Sequence, residues 1–361
     1  MTDTVHVEQP ALLGTDVPLT QVYDLALLDL DGVVYISQDA VPGAAEALDR
    51  VRAAGVPVRF VTNNASRPPE VVADHLTRLG VPATVDEVVT SAQVASALLA
   101  RRLSPGAGVL VVGAEGLRQA LTENGLVPMD SVDEGPVAVV QGFGPDVGWR
   151  LLAEATRAVR SGLYWMATNL DLTVPTAHGP APGNGSLVQL VATVAGRGPD
   201  EVAGKPRPGA FLEAARQAGC HRPLVVGDRL DTDLEGARAA GMHGLLVLTG
   251  VTGATELLAA PADLRPHYVG RDLDAMMVPH PAARLTGTTR AGCRDSVAEV
   301  VRDGDTASVR VLRPGSDPVC LLRAAAVAAW ADQDGGDRPA PDLTGLLSAL
   351  RGMDSTAGWA R

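Results

Sequence analysis

Apolar residues along the chain follow two patterns that alternate from about residue 25 to residue 250. Short apolar runs, as at 25–28 and, interrupted only by Arg59, at 56–61, are typical of buried strands in parallel sheets, because both faces of such strands are covered. Between them, apolar residues recur at helical spacing, as in 44–51 and 91–102. Further runs that predict strands lie at 109–112, 137–140, 163–168, 245–249 and from 223 onward. This alternation of strands and helices predicts an α/β fold.

The predicted elements divide into a core, an insertion and a tail. Ser104-Pro105-Gly106 breaks the chain before the insertion, and the turn-rich stretch 175–186 marks its end. In the tail, strands are predicted at 297–301 and 307–312, and helices at 321–330 and 343–350. The predicted limits are 1–103 and 187–284 for the two parts of the core, 104–186 for an inserted α/β unit, and 285–361 for a small α+β C-terminal module.

Composition excludes several classes of protein. The net charge of −12 leaves no basic stripe for phosphate backbones, so no nucleic-acid partner is expected. No apolar run approaches the ~20 residues of a membrane helix. Residues 1–18 lack the basic and apolar regions of a signal peptide. The three cysteines are far apart, which favours neither a disulfide framework nor a zinc site and fits a cytoplasmic location.

Polar side chains follow two neighbouring predicted strands. Asp29 and Asp31 come directly after the first strand, and strand alternation points them the same way. Like charges this close need a cation or a shared proton. Thr62 and Asn63 end the next strand, at the same edge of the sheet, where hydroxyl and amide donors suit a phosphoryl oxygen. Each pair taken alone is also compatible with an ordinary polar turn.

A third acidic group follows the strand that begins at 223. It contains Asp228 and Asp233, and the only lysine of the chain, Lys205, lies before it. An EF-hand is rejected because its twelfth position would be Met242, and a P-loop because Pro206 follows the lysine. Carboxylates with one cation suit a Mg²⁺ site that handles a phosphate group.

Four segments, in order, resemble the signatures of the haloacid dehalogenase superfamily of phosphatases. They read Asp-Leu-Asp-Gly-Val-Val-Tyr from Asp29, Val-Thr-Asn-Asn from Val61, Gly-Lys-Pro from Gly204 and Gly-Asp-Arg-Leu-Asp-Thr-Asp from Gly227. These spellings are similar to the type IIA branch, which includes p-nitrophenyl phosphatase-like, phosphoglycolate, pyridoxal phosphate and nucleotide phosphatases. The resemblance implies a Rossmann-like parallel-sheet core, with the insertion forming an α/β cap over the site.

The resemblance also implies the roles of the acidic residues and the lysine. Asp29 would attack phosphorus and form an aspartyl-phosphate, while Asp31 would protonate the leaving group and then activate water. Lys205 would neutralise the nucleophile and the phosphate as a compact charge. Mg²⁺ would be held by the Asp29 carboxylate, the Asp31 main-chain carbonyl and Asp228. Asp233 would orient these groups from behind them.

Substrate contacts are implied on both sides of the cleft. Thr62, Asn63 and Asn64 would bind the phosphoryl oxygens together with Lys205. On the cap, Asn169, Asp171 and the segment 183–186 are the expected contacts. The partner implied is a small phosphorylated metabolite. Self-association through the cap or the C-terminal module is left open.

The long tail indicates the substrate. Type IIA phosphatases usually end soon after the last core strand, near Tyr268. The continuation resembles that of actinobacterial glycerol 3-phosphate phosphatases, which implies hydrolysis of glycerol 3-phosphate to glycerol and phosphate. Phosphoglycolate, pyridoxal phosphate and nucleotide monophosphates stay open as substrates. An alternative of another class is a non-catalytic sensor that binds a phosphate ligand.

Overall fold

The computed structural model describes residues 12–176, 179–304, 306–336 and 339–354. The α-helices are Leu19–Val22, Ala44–Ala53, Pro69–Arg78, Ser91–Arg102, Glu115–Glu123, Trp149–Arg160, Asn184–Ala195, Gly209–Ala218, Glu235–Ala239, Ala254–Leu258, Pro318–Asp334 and Thr344–Met353. Shorter helical turns are the 3₁₀ segments Val85–Glu87, Val132–Glu134 and Leu273–Met277 and the π-turn Leu230–Leu234. In the part of the chain so described, no helix has both the length and the apolar character that a membrane span requires.

A six-stranded parallel sheet forms the core. Its strands, in order across the sheet, are Tyr268–Gly270, His243–Val247, Pro223–Gly227, Leu25–Leu28, Val58–Thr62 and Val88–Thr90. The central strand is buried on both faces: Ala26 and Leu28 pack on one side, Leu25 and Leu27 on the other. Because neighbouring strands run parallel, their carboxyl ends reach one edge together, and this edge carries the predicted chemistry.

The inserted unit is a second parallel sheet. Its five strands, in order, are Glu201–Val202, Tyr164–Ala167, Ala138–Gln141, Gly108–Val112 and Val127–Met129. Trp149–Arg160 and Asn184–Ala195 cover one face, where Trp165 is fully buried. The other face shares an apolar cluster with the core sheet, so the cap and the core pack directly against each other. A hairpin of Thr173–Thr176 and Gly179–Pro182 lies beside this sheet.

The structure places the end of the inserted unit later than expected. We predicted that the chain leaves it at 175–186 and that the following helix belongs to the core. Instead, Asn184–Ala195 packs on the inserted sheet, and Glu201–Val202 pairs with Tyr164–Ala167 as its edge strand. His178 of the turn-rich stretch lies outside the described residues. The helix follows the cap because its apolar residues complete the cluster around Trp165.

The C-terminal module is an antiparallel sheet covered by helices. Two strands were predicted, and the sheet has four: Arg284–Leu285, Arg290–Cys293, Ser296–Asp303 and Thr306–Arg313. Helix Pro318–Asp334 lies between this sheet and the core, so it is buried all round rather than on one face. Trp330 Nε1 donates to Leu257 O of the core at 2.9 Å. The module therefore shares an apolar cluster with the edge of the core sheet.

Candidate active site

The three predicted strand ends meet at one edge of the core sheet. Asp29 continues the central strand, since its N–H donates to Val226 O at 2.9 Å. Thr62 ends the neighbouring strand on one side, and Asp228 directly follows Gly227, the last residue of the strand on the other side. Before this edge each strand is apolar except at Arg59 and largely buried, so burial fixes its register and delivers the polar residue at the edge. The parallel order thus brings together residues that are far apart in sequence.

Lys205 lies at the centre of this edge. Its Nζ donates to Asp29 Oδ1 at 2.6 Å and to Asp233 Oδ1 at 2.7 Å, and the side chain is 2% exposed. Burial disfavours the ammonium form, but the carboxylates of Asp233 and Asp29 outweigh it and raise the pKa of Lys205 above its usual range. The lysine is therefore a fixed positive charge beside Asp29.

A third carboxylate, that of Asp228, lies close to the two that bind Lys205. Oxygens of Asp29, Asp228 and Asp233 all lie within 4.8 Å of one another, and all three residues are buried. Burial raises the pKa of Asp228, helped by the charges of Asp233 and Asp29. Burial also raises the pKa of Asp233, despite the opposing effect of Lys205. The ionised cluster thus carries more negative than positive charge, which a divalent cation would correct.

Asp228 has the properties of a metal ligand. Its Oδ2 accepts a hydrogen bond from Val251 N at 2.6 Å, while Oδ1 is buried and has no protein partner among the described residues. Gly32 and Gly250 make room for this carboxylate, because a Cβ on them would lie 2.4 and 1.9 Å from Asp228 Oδ2. Gly32 also has a φ of +83°, which favours glycine. These residues fit a bound Mg²⁺.

Asp233 differs from Asp228 because both of its oxygens are already used. Oδ1 accepts from Lys205 Nζ, and Oδ2 accepts from Arg229 N at 3.2 Å. The π-turn Leu230–Leu234 places the Asp233 side chain back under the strand end, where the residue is fully buried. This arrangement suits a residue that holds the lysine rather than one that binds the metal directly.

Asp31 is partly buried and lies beside the cluster without joining it. Burial, followed by the negative charge of Asp29, raises the pKa of Asp31 to about 7. A carboxyl group with this pKa can both donate and accept a proton near neutral pH. The charge of the exposed Arg67 opposes this rise in the pKa of Asp31, and the sequence analysis did not single out Arg67. The available signal was its position in the loop that follows Thr62.

Thr62 and Asn64 lie at the end of the second strand. Thr62 Oγ1 accepts from Asn64 N at 3.1 Å, so its own hydroxyl hydrogen can still be donated to a phosphoryl oxygen. Asn64 Oδ1 accepts from Ser66 N at 2.9 Å and Ser66 Oγ at 2.7 Å. Asn64 therefore shapes the loop that presents Thr62.

The Asn63 side chain is not placed as expected. Its Oδ1 accepts from Lys205 N at 2.8 Å, and its Nδ2 donates to Lys205 O at 3.1 Å. Nδ2 also contacts Asp171 Oδ2 at 3.1 Å. We expected this amide to bind a phosphoryl oxygen, but these protein groups already occupy it. The side chain instead fixes the main chain of the lysine.

The predicted cap contacts are also engaged with protein groups. Asn169 is 3% exposed; its Nδ2 donates to Asn63 O at 2.8 Å, and its Oδ1 accepts from Asp171 N at 3.1 Å. Segment 183–186 packs against the backbone of 170–173, where a Cβ on Gly185 would lie 2.1 Å from Leu170 O. These residues join the cap to the core edge, and Asp171 alone brings a charge to that contact.

Two family models match the chain around this site. Residues 26–127 match haloacid dehalogenase-like hydrolase, and residues 202–276 match a HAD-hydrolase-like model. The chain is 43% identical to D-glycerol 3-phosphate phosphatase of Mycobacterium tuberculosis over 317 residues, which is 86% of this chain and 87% of that protein. It is 37% identical to acid sugar phosphatase of Staphylococcus aureus over 70% of this chain and 96% of that one.

Solved structures agree with these sequence matches. A glycerol phosphate phosphatase of Mycobacterium tuberculosis in complex with magnesium superposes with a TM-score of 0.81 at 39% identity, covering 94% of this chain and 99% of that one. The 4-nitrophenylphosphatase of Thermotoga maritima gives a TM-score of 0.67 at 30% identity, covering 72% and 98%. The predicted fold class and the predicted resemblance are thereby confirmed.

Proposed function

The chain belongs to the haloacid dehalogenase-like hydrolases, and from this premise we propose that it is a Mg²⁺-dependent phosphatase of glycerol 3-phosphate. The observation that carries the activity is that Lys205 Nζ lies between Asp29 and Asp233, while Asp228, whose Oδ1 has no protein partner among the described residues, lies close to both carboxylates. The substrate is supported by the similarity to the mycobacterial phosphatase. The matched region is 317 residues long, so it includes part of the tail as well as the core and the cap.

The proposed reaction begins at Asp29. One carboxylate oxygen attacks phosphorus, the bond from phosphorus to the ester oxygen breaks, and Asp31 gives its proton to the departing alkoxide. Lys205 and the hydroxyl of Thr62 stabilise the negative charge on the phosphoryl oxygens. Asp31, now ionised, takes a proton from water as the water attacks the phosphorus of aspartyl-phosphate. Phosphate leaves, and the Asp29 carboxylate is restored.

Mg²⁺ supplies the positive charge that the carboxylate cluster lacks. In this proposal the Asp29 carboxylate, the Asp228 carboxylate and the main-chain carbonyl of Asp31 hold it. Asp233 keeps Lys205 in place, in keeping with its two occupied oxygens. When these charges are balanced, a phosphate dianion can approach Asp29, because the negative charge of the site no longer repels it.

We place the cap at residues 104–202, because strand Glu201–Val202 still belongs to its sheet. The module from 285 onward is proposed as an attached α+β unit that packs on the core. Cap closure would exclude water from the site and select small polar esters. A cytoplasmic location is part of the same proposal, and it agrees with the three free cysteines.

The test is an assay of phosphate esters with the full chain and Mg²⁺. We expect glycerol 3-phosphate to give the highest kcat/KM in a panel with phosphoglycolate, pyridoxal phosphate and nucleotide monophosphates. Asp29→Asn should lower kcat by at least about 10³-fold because the nucleophile is lost. EDTA should abolish activity, and excess Mg²⁺ should restore it.

Asp39→Asn is the matched control, since Asp39 is exposed and lies outside the site. Its kcat should equal that of the wild type, and circular dichroism should show both variants folded. Full activity of Asp29→Asn would contradict the mechanism. A preference for another ester would contradict the substrate alone. Tight phosphate binding without turnover would favour the sensor.

A further inference from the structure

Asn63 connects the catalytic lysine to the cap. On the core side, its amide group makes two hydrogen bonds to the main chain of Lys205. On the cap side, the main-chain carbonyl oxygen of Asn63 accepts a hydrogen bond from Asn169 Nδ2. The side-chain Nδ2 of Asn63 lies 3.1 and 3.3 Å from the two carboxylate oxygens of Asp171. The position of Asn63 therefore depends on both units.

Lys205 comes three residues after the last strand of the cap, Glu201–Val202. Ala203 N donates to Ala167 O at 2.9 Å, and Gly204 N donates to Thr168 O at 2.7 Å, so the main chain stays bonded to the cap up to the residue before Lys205. Gly204 is confined between the two units, because a Cβ there would lie 2.4 Å from Asn63 Oδ1 and 2.5 Å from Thr168 O. The lysine thus begins where the cap ends.

Asp171 is anchored in the cap by its main chain. Its N–H donates to Asn169 Oδ1 at 3.1 Å, and its carbonyl accepts from Gly185 N at 2.9 Å. Its carboxylate points away from these anchors, toward Asn63 of the core. Burial raises the pKa of the Asp171 carboxyl, and Asp29 adds to this, while Arg229, the hydrogen bond from Asn63 and Lys205 lower the pKa and so favour the ionised form. A charged acceptor makes a stronger hydrogen bond to an amide than a neutral one does.

We propose that Asp171 is a positioning residue: through Asn63, it makes the placement of Lys205 depend on the position of the cap. This rests on the proposed function, in which Lys205 acts on the phosphate. We call the two hydrogen bonds between the Asn63 amide and the Lys205 main chain the clasp. When Asp171 lies against Asn63, its carboxylate holds the amide in the orientation that makes both bonds. When the cap moves away, Asn63 loses its charged acceptor and the clasp weakens. Asp171 then acts without touching the substrate.

The single lysine provides a direct readout that needs no activity. The full chain labelled with [¹⁵N]lysine gives one backbone amide signal, that of Lys205, and this N–H is the donor to Asn63 Oδ1. Asp171→Ala should shift this signal and speed its hydrogen exchange about tenfold, because a hydrogen bond to a charged group is removed from the clasp. Asp171→Asn, which keeps an acceptor oxygen, should give a smaller change.

Asp146→Ala is the matched control. Asp146 is an exposed cap carboxylate, and removing it changes the cap charge by the same amount without touching Asn63. It should leave the Lys205 signal and its exchange rate unchanged. An unchanged Lys205 signal in Asp171→Ala, with the fold intact by circular dichroism, overturns the proposal. A change that is as large in Asp146→Ala also overturns it.

Kinetics separate positioning from substrate contact. If Asp171 acts through Lys205, its alanine variant should lose about tenfold in kcat on both p-nitrophenyl phosphate and glycerol 3-phosphate, with KM within about twofold of the wild type. A rise in KM for glycerol 3-phosphate alone would identify a substrate contact and overturn the proposal. If the wild type hydrolyses no ester, the proposed function fails, and the lysine signal still decides whether the cap and Lys205 are coupled.

Discussion

Among the described residues, two buried groups of charged and polar side chains are built differently. At the core edge, Asp29 and Asp233 bind the Lys205 ammonium, Asp228 lies close to both carboxylates, and Asp228 Oδ1 has no protein partner among the described residues. At the junction with the C-terminal module, Arg323 is buried among acceptors instead. Its Nε donates to Val269 O at 3.1 Å, and its Nη2 reaches both Val269 O and the ring of His280.

At the junction, the buried polar groups are paired with one another, whereas at the core edge one buried oxygen is left without a protein partner among the described residues. His280 contacts Ala275 O through Nε2 at 2.7 Å and accepts from Arg323 through Nδ1, so both ring nitrogens are used. Burial of a polar group costs free energy unless its partners are complete. The complete group at the junction therefore holds two parts of the fold together. The incomplete group at the edge keeps binding capacity for a ligand. The difference lies in pairing, since both groups are buried.

Of the substitutions that compare the two groups, replacement of the cation at the core edge is expected to have the largest effect. Lys205→Arg keeps the charge, but its planar fork does not fit a site where one Nζ lies 2.6 and 2.7 Å from two carboxylates. We expect kcat/KM to fall by at least about 10²-fold while the fold is kept. Steady-state kinetics and circular dichroism check this. Arg207→Lys, at an exposed position, should be active. Near wild-type activity of Lys205→Arg would show that the site needs charge alone.

A different outcome is expected when the cation at the junction is replaced. Arg323→Leu removes the donor to Val269 O and His280, leaving buried acceptors without a partner. The free energy of unfolding should fall by about 3 kcal/mol. kcat should stay unchanged at a temperature where the variant is folded. Urea denaturation measures the loss, and Arg310→Leu at an exposed position is the control. Loss of activity in a folded Arg323→Leu variant would contradict the division between the two groups.

A smaller effect is expected from pH at the junction. Burial and the charge of Arg323 lower the pKa of His280 to about 4, from 6.5 in the unfolded chain. Between these values the unfolded chain binds the proton and the folded one does not, so stability falls as pH decreases. From pH 7 to pH 5, His280 should account for about 2 kcal/mol of this loss. Urea denaturation of the wild type and of His280→Gln at both pH values isolates the contribution of His280. The same loss of unfolding free energy between pH 7 and pH 5 in both proteins would contradict the prediction.

The core edge could be predicted because its residues follow directly from local patterns. Asp29 and Asp228 each follow a short apolar run, Thr62 ends a strand that is apolar except for Arg59, and parallel pairing alone brings such ends together. Lys205 could be singled out because it is the only lysine. The similarity to known phosphatases confirms the fold class and the phosphatase assignment.

The remaining features depend on contacts between distant segments. The apolar periodicity of 187–195 predicts a helix but does not tell which sheet it covers, so the end of the cap was placed too early. The amide of Asn63 suited a phosphate by its chemistry, and only the fold shows that Lys205 and Asp171 occupy it. Arg323 lies in an alanine-rich helix. If only one face of this helix were buried, the arginine would be expected on the exposed face. The packing of the module against the core buries it instead.

The order of strands in the core sheet has a consequence for synthesis of the chain. Strand Leu25–Leu28 pairs on one side with Val58–Thr62, which follows soon, and on the other with Pro223–Gly227, which is made roughly 200 residues later. Until then the growing chain carries an apolar strand with one open edge, a form prone to wrong pairing with other chains. The cap sheet, whose strands are closer together in sequence, can form during this interval. Asp228 and Asp233 therefore reach Asp29 only after the strand before them has been made, and a chain that stops before this strand has no assembled site.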